Sequence, residues 1–424
     1  MPDFDDLSDP ATLDNALASG ATYGTLDRQH ALFTYLRRED PVHWTTPAGF
    51  RPFWAVTKHA DIIEVEKQQE LFINAPRAKM FSIEFEEKVR AAKHGKADVV
   101  RSLPQMDNPD HRAYRQLTQA WFQAKQVRLL EERIAALAKR SLDELEQMGP
   151  ELDFYRDIAV WFPLRVIMLI LGLPADDEKR LQKITQAYFG GADPEMQGGS
   201  DLIKAAQDFV DYFDGVSEAR RAQPTDDVAS VIANGTIDGK PLEHIEASSY
   251  YIALASAGHD TTSASAAGGV LALIENPAEW AKLKADPTLT PAAVEEIIRW
   301  VSPVKHFFRT AAADYTLRGK QIKAGDNLLM CYPSANRDED VFADPFSFRV
   351  DRNPNRHLGF GYGAHACIGL FLAKTELQIF FRELLARVER FELTGQPAWI
   401  QTAFVGGLKR LPVRVEMVRQ ALMA

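Results

Sequence analysis

A single cysteine near the C-terminal end lies in a glycine-rich loop, and this loop constrains the fold more than any other feature of the sequence. Residues 360–369 read Phe-Gly-Tyr-Gly-Ala-His-Ala-Cys-Ile-Gly and lead into a predicted helix. The chain has only one other cysteine, Cys331, which argues against a disulfide framework. A Cys367 thiolate at the N-terminal end of a helix is stabilised by the helix dipole and can bind a metal ion through one strong bond.

Two interpretations of Cys367 compete. Most unpaired cysteines are small buried core residues, and a lone cysteine favours that interpretation. The second interpretation is a metal-ligating loop, and the glycines at positions 361, 363 and 369 favour it. They allow a tight turn and a close approach of the backbone to a flat ligand, which a core cysteine does not require. Further motifs in the chain support the second interpretation.

The composition is that of an ordinary globular protein, with 46% apolar and 25% charged residues in a chain of 424. The net charge of −10 argues against nucleic acid as the main partner, because phosphate binding requires a basic surface. The first twenty residues carry five aspartates, and the apolar stretch 166–173 is too short to cross a bilayer. We therefore expect no signal peptide and no membrane anchor. With Cys367 bound to a metal, Cys331 has no partner, which predicts a reducing cytoplasmic location.

The hydrophobic pattern predicts a mainly α-helical protein with a small β region. Residues 42–46 and 53–57 read as two strands of a hairpin, and strand signals return only after residue 300. Between them, helical periodicity predicts long helices over 126–146 and 242–274. Because no linker or repeat interrupts the sequence, we predict a loosely attached arm over residues 1–30 and a single domain over residues 31–424.

The longest predicted helix contains the sequence Ala-Gly-His-Asp-Thr-Thr at residues 257–262. Its small residues recur at helical spacing, which lets a flat cofactor and a substrate approach the helix. Asp260 and Thr261 supply an acid and an alcohol for proton transfer. The alternative is that Gly258 ends one helix and Asp260 or Thr261 caps the next. These six residues alone fit both interpretations equally well.

Glu296 and Arg299 lie three residues apart on one face of a predicted helix. An exposed pair of this kind contributes only ~0.3–0.5 kcal/mol and is common. The cysteine loop, the acid–alcohol sequence and this Glu-x-x-Arg pair together resemble, in order and spacing, the motifs of the cytochrome P-450 family. The resemblance covers residues 25–418.

The resemblance implies the fold, the cofactor and the roles of the motifs. We expect the cytochrome P450 fold, a triangular-prism domain around a buried haem b, with Cys367 as the only protein ligand of the iron. Asp260 and Thr261 are expected to deliver protons to oxygen, and Glu296 and Arg299 to form a buried structural pair. A haem also carries two propionates, which need cationic or hydrogen-bonding partners. The residues expected to contact the haem or its propionates are His111, Arg115, Arg309, His357, Phe360, Gly363, Cys367 and Gly369.

Residues 332–339, 355–361 and 404–407 are similar to those of bacterial P-450s that oxidise monoterpenes and alkylbenzenes, among them a terpineol hydroxylase. The resemblance implies a haem-thiolate monooxygenase that inserts one oxygen atom of O2 into a C–H bond of a small hydrophobic compound. The expected pocket is apolar and is lined by Leu254, Ala257, Val304, Phe308 and Phe404. The bulk of His306 and Phe308 disfavours terpineol itself and suits a flatter or slimmer substrate.

The resemblance further implies a monomer that receives electrons from a ferredoxin, through a ferredoxin reductase and NAD(P)H. Cations expected near the cysteine loop would attract an acidic ferredoxin, and these are Arg112, Arg115, Lys125 and Lys374. The alternatives are a hydroxylase of larger aromatic or fatty-acid substrates, a haem-thiolate peroxygenase and a non-catalytic haem sensor. The acid–alcohol pair argues against a peroxygenase, which needs no proton relay. No nucleotide-binding loop or nucleophile elbow in the sequence suggests a different chemistry.

Overall fold

Helices make up most of the fold. The computed structural model describes residues 6–92, 102–189, 193, 195 and 202–418. The α-helices are α1 (Pro10–Ala18), α2 (Leu26–Glu39), α3 (His59–Glu66), α4 (Ile83–Ala92), α5 (Asp110–Thr118), α6 (Ala124–Arg128), α7 (Glu131–Met148), α8 (Trp161–Leu171), α9 (Glu178–Phe189), α10 (Leu202–Ala222), α11 (Val228–Ala233), α12 (His244–Glu275), α13 (Pro277–Ala285), α14 (Thr290–Val301), α15 (Tyr332–Ala335) and α16 (Leu370–Arg387). The mainly helical prediction is confirmed.

The strands form one five-stranded sheet and several small ones. They are β1 (Val42–Thr45), β2 (Phe53–Val56), β3 (Phe72–Ile73), β4 (Glu151–Asp153), β5 (Thr236–Ile237), β6 (Lys240–Pro241), β7 (His306–Ala311), β8 (Tyr315–Leu317), β9 (Lys320–Ile322), β10 (Asn327–Cys331), β11 (Val388–Leu393), β12 (Ala398–Trp399), β13 (Leu408–Arg410) and β14 (Pro412–Met417). The large sheet has the order β1-β2-β10-β7-β3, in which only β10 and β2 are parallel. The predicted hairpin is the β1–β2 pair.

Helix α12 runs through the middle of the helical core and packs against α8, α10 and α14. It continues without a break through Gly258, so the alternative of two separate helices is wrong. Small residues let α14 approach closely, because a Cβ atom on Gly268 would lie 2.5 Å from the Val301 side chain. A Cβ atom on Gly269 would lie 2.9 Å from the Ile297 side chain. Side chains at these two positions would therefore push the helices apart.

The segment between α15 and α16, residues 336–369, contains no helix or strand apart from the 3-10 turn Gly363–His365. Glu296 and Arg299 anchor it from α14. Their side chains are fully buried and form two hydrogen bonds of 2.7 Å each. Arg299 also donates to the carbonyls of Asn336 and Pro345. Removing one partner of a buried pair of this kind costs about 3–5 kcal/mol, because the other charge is left uncompensated.

The N-terminal residues pack against the large sheet. Leu13, Leu17 and Tyr23 are at most 5% exposed, and they share a hydrophobic cluster with Phe53 of β2 and Phe308 of β7. The Tyr23 hydroxyl donates to the Leu17 carbonyl at 3.1 Å. The prediction of a loosely attached arm is therefore wrong for these residues, since their apolar side chains cover an otherwise open face of the sheet.

The helix predicted over 126–146 is two helices, because the backbone hydrogen bonds change spacing between α6 and α7. The Leu129 N–H donates to the Gln126 carbonyl and the Leu130 N–H to the Val127 carbonyl, three residues back in each case. This tighter turn buries Val127 and Leu130 on the same side. Within the described residues, no helix has the length and apolar character needed to cross a membrane.

Candidate functional site

A cavity of about 240 Å³ lies between α12 and the cysteine loop. This is the volume that the centre of a water molecule can occupy. Helix α5, the beginning of β7 and helix α16 complete its wall. Most of the lining is apolar. Two clusters of polar side chains also line the cavity. The first, the basic group, comes from α5, β7 and the cysteine loop, and the second consists of hydroxyls on α12 and a carboxyl on α16.

The thiol of Cys367 lines this cavity, three residues before the start of α16. The Cys367 N–H donates to the Phe360 carbonyl at 2.8 Å, which closes the loop. Burial raises the pKa of the Cys367 thiol, although the Gly369 N–H and the positive charge of Arg115 act in the opposite direction. A thiolate at this position therefore gains stability from a cation bound in the cavity. Cys331, by contrast, is buried in β10 and does not line the cavity.

The glycines of the cysteine loop have different roles. Gly361 and Gly363 adopt positive φ angles of 67° and 70°, which favour glycine at both positions. Gly369 lines the cavity beside Cys367, and Phe360 lines it on the other side of the loop. Gly363 faces away from the cavity, where a Cβ atom would lie 2.5 Å from the Glu66 carbonyl oxygen. It therefore lets the loop pack on the end of α3.

A basic group occupies one end of the cavity. His111 and Arg115 of α5, Arg309 of β7 and His365 of the 3-10 turn all line it. The imidazole rings of His111 and His365 are in contact, with centroids 3.8 Å apart and planes tilted by 31°. Burial and the neighbouring arginines together lower the pKa of His111 to about 4 and that of His365 to about 2, so both rings are neutral near pH 7. The His111 Nε2 atom is buried without a partner. This end of the cavity is suited to bind an anionic group.

The prediction of His357 as a propionate contact is not supported by its position. His357 does not line the cavity. Its Nδ1 atom accepts from the Gly359 N–H at 3.1 Å, and its Nε2 atom donates to Glu295 at 2.8 Å. The structure places His365 in the basic group instead. The available signal was its position two residues before Cys367, at the end of the 3-10 turn Gly363–His365.

Thr261 lines the cavity on α12, and its hydroxyl donates to the Ala257 carbonyl at 2.8 Å. Asp260 lies beside it, and its Oδ2 atom is buried without a partner. Burial raises the pKa of the Asp260 carboxyl well above its ordinary value, which favours the protonated acid. The nearby His259 ring is 3.9 Å from Asp260, but burial lowers the pKa of His259 to about 4. The neutral His259 therefore gives the carboxylate no compensating charge.

Asp260 itself does not line the cavity, but the structure places another buried acid on the cavity wall, which the sequence did not reveal. Glu376 of α16 lines the cavity and accepts from the Thr262 hydroxyl at 3.1 Å. Its other oxygen is buried without a partner, and burial raises the pKa of its carboxyl well above the ordinary value. Two buried carboxyls with raised pKa values, on α12 and α16, thus lie beside Thr261 and Thr262.

Three of the five predicted pocket residues, Leu254, Ala257 and Val304, line the cavity. Phe308 and Phe404 do not. Successive side chains of a strand point to opposite faces, so Phe307 faces the cavity while Phe308 packs on Phe53 with ring centroids 5.3 Å apart. Phe404 lies behind the cavity wall, with its ring 5.5 Å from that of Phe307.

Only two of the four cations predicted near the cysteine loop are exposed, Arg112 and Lys125. Arg115 lines the cavity, and its guanidinium donates to the Ala366 carbonyl at 2.8 Å. Lys374 forms an ion pair of 2.7 Å with Glu295. Two exposed aromatic side chains, Tyr362 and Phe371, flank the loop on the same segment of the chain.

Comparison with known proteins identifies the family. Residues 115–403 match the sequence profile described as Cytochrome P450. The chain belongs to the cytochrome P450 family. This P450 is 44% identical to cytochrome P450-terp of a Pseudomonas species, over 90% of this chain and 92% of the relative. It is 34% identical to linalool 8-monooxygenase of Pseudomonas putida, over 91% of this chain and 95% of the relative.

The solved structures agree. The crystal structure of CYP108D1 from Novosphingobium aromaticivorans is 41% identical and has a TM-score of 0.90, covering 96% of this P450 and 99% of the other chain. The P450 fold is thereby confirmed, as are the monooxygenase class and the haem b cofactor held by a cysteine thiolate.

The residues around the cavity fit a haem. Of the two cysteines, only Cys367 presents its thiol to the cavity, and the basic group provides Arg115, Arg309 and an unpartnered nitrogen of His111 for two carboxylates. When bound, haem with a thiolate ligand supplies the activation of O2, because electron donation from sulfur favours O–O bond cleavage. The protein positions the substrate, supplies protons and excludes water.

We predict that Cys367→His abolishes the red-shifted ferrous carbonyl spectrum of a thiolate-bound haem, together with oxygenase activity. The reason is that imidazole replaces the only thiol at the cavity. The spectrum is recorded after reduction of the purified protein under carbon monoxide. Cys331→Ala is the matched control, since it removes the other thiol, and it should retain the spectrum. Persistence of the thiolate spectrum in Cys367→His would contradict the assignment.

Proposed function

We propose that this P450 hydroxylates a compact apolar compound, such as a monoterpene or an alkylbenzene, with electrons from a ferredoxin. The observation that carries the proposal is the apolar wall of the cavity beside α12. This wall is formed by Leu103, Leu254, Ala257, Val304 and Phe307. The relationship to a linalool 8-monooxygenase, a P450 named for a terpene substrate, supports this substrate class.

The polar groups next to this wall are already used within the protein. The Asn74 side chain donates to the Pro104 carbonyl at 2.8 Å and contacts His365 Nδ1 at 3.3 Å. The Thr261 hydroxyl donates to the backbone of its own helix. None of the five wall residues carries a charge. Binding is therefore driven by burial of apolar area, at about 25 cal/mol per Å², and a substrate carboxylate would have no cation on this wall.

Cys367 is the proposed iron ligand, and the basic group is proposed to hold the two propionates. Arg115 and Arg309 provide charge-assisted hydrogen bonds, and the buried Nε2 atom of His111 gains a partner. His365 takes the place assigned to His357 from the sequence. Phe360 and Gly369 flank the thiol, and the absence of a side chain at Gly369 keeps the wall open beside the sulfur.

Asp260 and Thr261 are proposed to hold and deliver protons. Thr261 lines the cavity, where its hydroxyl would hold and pass on the protons that oxygen activation requires. Asp260 stores a proton beside it, because its carboxyl is buried without a compensating cation. This pair distinguishes a monooxygenase from a peroxygenase, which needs no proton delivery. The spacing places the acid one residue from the alcohol on a continuous helix.

The surface around the cysteine loop is proposed as the ferredoxin-binding face. Arg112 of α5 and Lys125 of α6 are exposed there, and Tyr362 and Phe371 add exposed aromatic area. Because Cys367 belongs to this loop, electron transfer is proposed to occur at this side of the molecule. A local positive field can attract an acidic partner even though the net charge of the chain is −10.

We predict that monoterpenes and alkylbenzenes shift the haem spin state at lower concentrations than long-chain carboxylic acids do. The apolar wall stabilises the former, whereas the carboxylate of the latter loses its hydration without gaining a cation. Titration of the absorption spectrum with matched panels of both classes measures the affinities. A clear preference for fatty acids would contradict the proposal and favour a lipid hydroxylase.

We predict that Thr261→Ala leaves the substrate-induced spin shift largely intact but diverts electrons into hydrogen peroxide. Losing one positioned proton-transfer group should slow the step that it serves by roughly 10²–10⁴-fold. The ratio of product to consumed NAD(P)H measures the effect. Ser263→Ala is the matched control, because Ser263 donates to the His259 carbonyl on the same helix and does not line the cavity. Wild-type coupling in Thr261→Ala would rule out the proton-delivery role.

We predict that Arg112→Glu raises the apparent Michaelis constant for ferredoxin without changing substrate affinity. The first electron transfer should also slow with salt, because the Debye length falls from ~30 Å at 0.01 M to ~8 Å at physiological ionic strength. Stopped-flow reduction by an acidic ferredoxin measures both effects. Arg38→Glu is the control, since Arg38 is an exposed arginine on α2. Equal effects of the two variants would place docking elsewhere.

A further inference from the structure

A buried carboxyl lies directly behind the basic group of the cavity. Glu66, the last residue of α3, has a side chain that is 1% exposed. Its Oε1 atom accepts two hydrogen bonds of 2.7 Å, from the Arg309 guanidinium and from the Tyr332 hydroxyl. Its Oε2 atom is buried and has no hydrogen-bond partner. Both side-chain donors thus reach the same oxygen, and the Tyr362 N–H adds a backbone contact to the carboxyl.

Arg309 divides its donors between Glu66 and the cavity. One terminal nitrogen donates to Glu66 and the other to the Phe308 carbonyl at 2.8 Å. A guanidinium has five N–H groups, so these two hydrogen bonds do not use all the donors of Arg309, which also lines the cavity. Glu66 therefore fixes the orientation of the guanidinium that is proposed to meet a haem propionate.

Among the described residues, the groups that face Glu66 come from β7, α15 and the cysteine loop, and Arg309 is the one cation that acts on its pKa. Arg309 of β7 and the backbone of Tyr362 in the cysteine loop act to lower its pKa, as does the hydrogen bond from Tyr332 of α15, but burial outweighs them and the pKa of Glu66 is raised. The basic group beyond Arg309 consists of His111, Arg115 and His365. Both of these histidines are neutral near pH 7.

We propose that Glu66 is a positioning residue for Arg309 and that it takes up a proton on Oε2 when the bound haem is reduced. The proposal rests on the placement of a haem propionate at Arg309. Reduction adds one electron, supplied by the redox partner, to the iron, and one proton passes from solvent to Oε2. No existing hydrogen bond is broken by this step, because Oε1 still accepts from Arg309 and Tyr332.

The direction of the effect follows from the charges. A propionate shares the single charge of Arg309 with Glu66, so two carboxylates depend on one guanidinium. Added negative charge at the haem raises the proton affinity of the more buried carboxyl. The reduced protein then binds more protons than the oxidised one, and higher pH disfavours reduction. The reduction potential should therefore fall as pH rises.

The test is the haem reduction potential measured by spectro-electrochemistry between pH 6 and pH 9, with redox mediators as the electron source. In the wild type, the equilibrium constant for reduction should fall by up to tenfold per pH unit, which is ~59 mV for one electron. Glu66→Gln keeps the side-chain length and both accepted hydrogen bonds but cannot titrate, so its potential should lose this dependence. A pH-independent potential in the wild type, or an unchanged dependence in Glu66→Gln, would overturn the proposal.

Two controls separate the proton from the packing. Asp61→Asn removes a carboxylate from the same helix, where Asp61 pairs with Arg318 rather than with Arg309, and it should retain the wild-type pH dependence. Tyr332→Phe removes a donor that favours the ionised form of Glu66, so the same dependence should move to higher pH. A shift to lower pH would contradict the assignment of the proton to Glu66.

Glu66→Asp tests the positioning role. The shorter side chain keeps a titratable carboxyl but withdraws it from Arg309, so haem should transfer to apomyoglobin roughly ten- to a hundredfold faster, as expected for loss of a charge-assisted hydrogen bond. The wild-type rate in this variant would remove the positioning role. Failure of the haem assignment itself has a different signature, since the wild type would then lack the thiolate carbonyl spectrum. If that spectrum is normal, the outcome of the titrations bears on Glu66 alone.

Discussion

The buried pair of Glu296 and Arg299 is the interaction on which the position of the cysteine loop depends. Residues 336–369 have almost no regular secondary structure, so their carbonyls need donors from elsewhere. Arg299 donates to three of them, the carbonyls of Asn336, Pro345 and Ser347. Arg352, within the segment, donates to the carbonyls of Ala343, Asp344 and Ser347. Glu296 compensates both guanidinium charges at distances of 2.7 and 3.0 Å. These buried ion pairs and hydrogen bonds thereby stabilise the irregular conformation of residues 336–369.

Hydrogen bonds from backbone N–H groups of the cysteine loop hold the Cys367 thiol in position without any contribution from a cofactor. The Leu358 N–H donates to the Asn336 side chain at 2.7 Å, and the Cys367 N–H donates to the Phe360 carbonyl at 2.8 Å. Gly363 then lets the loop lie against the end of α3. The loop forms one wall of the cavity and α12 the opposite wall, so the site depends on packing between elements that are about a hundred residues apart. This division explains why its acids and cations come from separate parts of the sequence.

Features set by spacing within one element could be predicted from the sequence. The Glu-x-x-Arg pair and the long helix α12 are of this kind, since a helical turn fixes which residues are neighbours. The cysteine loop was predictable from its glycines and the helix that follows it. Features set by tertiary packing could not. Whether Phe307 or Phe308 faces the cavity depends on the side of the sheet that the N-terminal residues cover. His365 and Glu66 were missed because the partners that define their roles lie far away in the sequence. The packing of the N-terminal residues on the large sheet likewise explains why they do not form a loosely attached arm.

Iron K-edge X-ray absorption of the purified holoprotein tests the central claim most directly, because it reports the atoms bound to the iron. The claim is that the cavity between α12 and the cysteine loop holds haem through the Cys367 thiolate. The account predicts one sulfur atom in the first shell of the wild type and none in a variant that lacks the Cys367 thiol, with sulfur retained when Cys331 is replaced. A first shell made only of nitrogen and oxygen in the wild type, or sulfur that persists without Cys367, would contradict it.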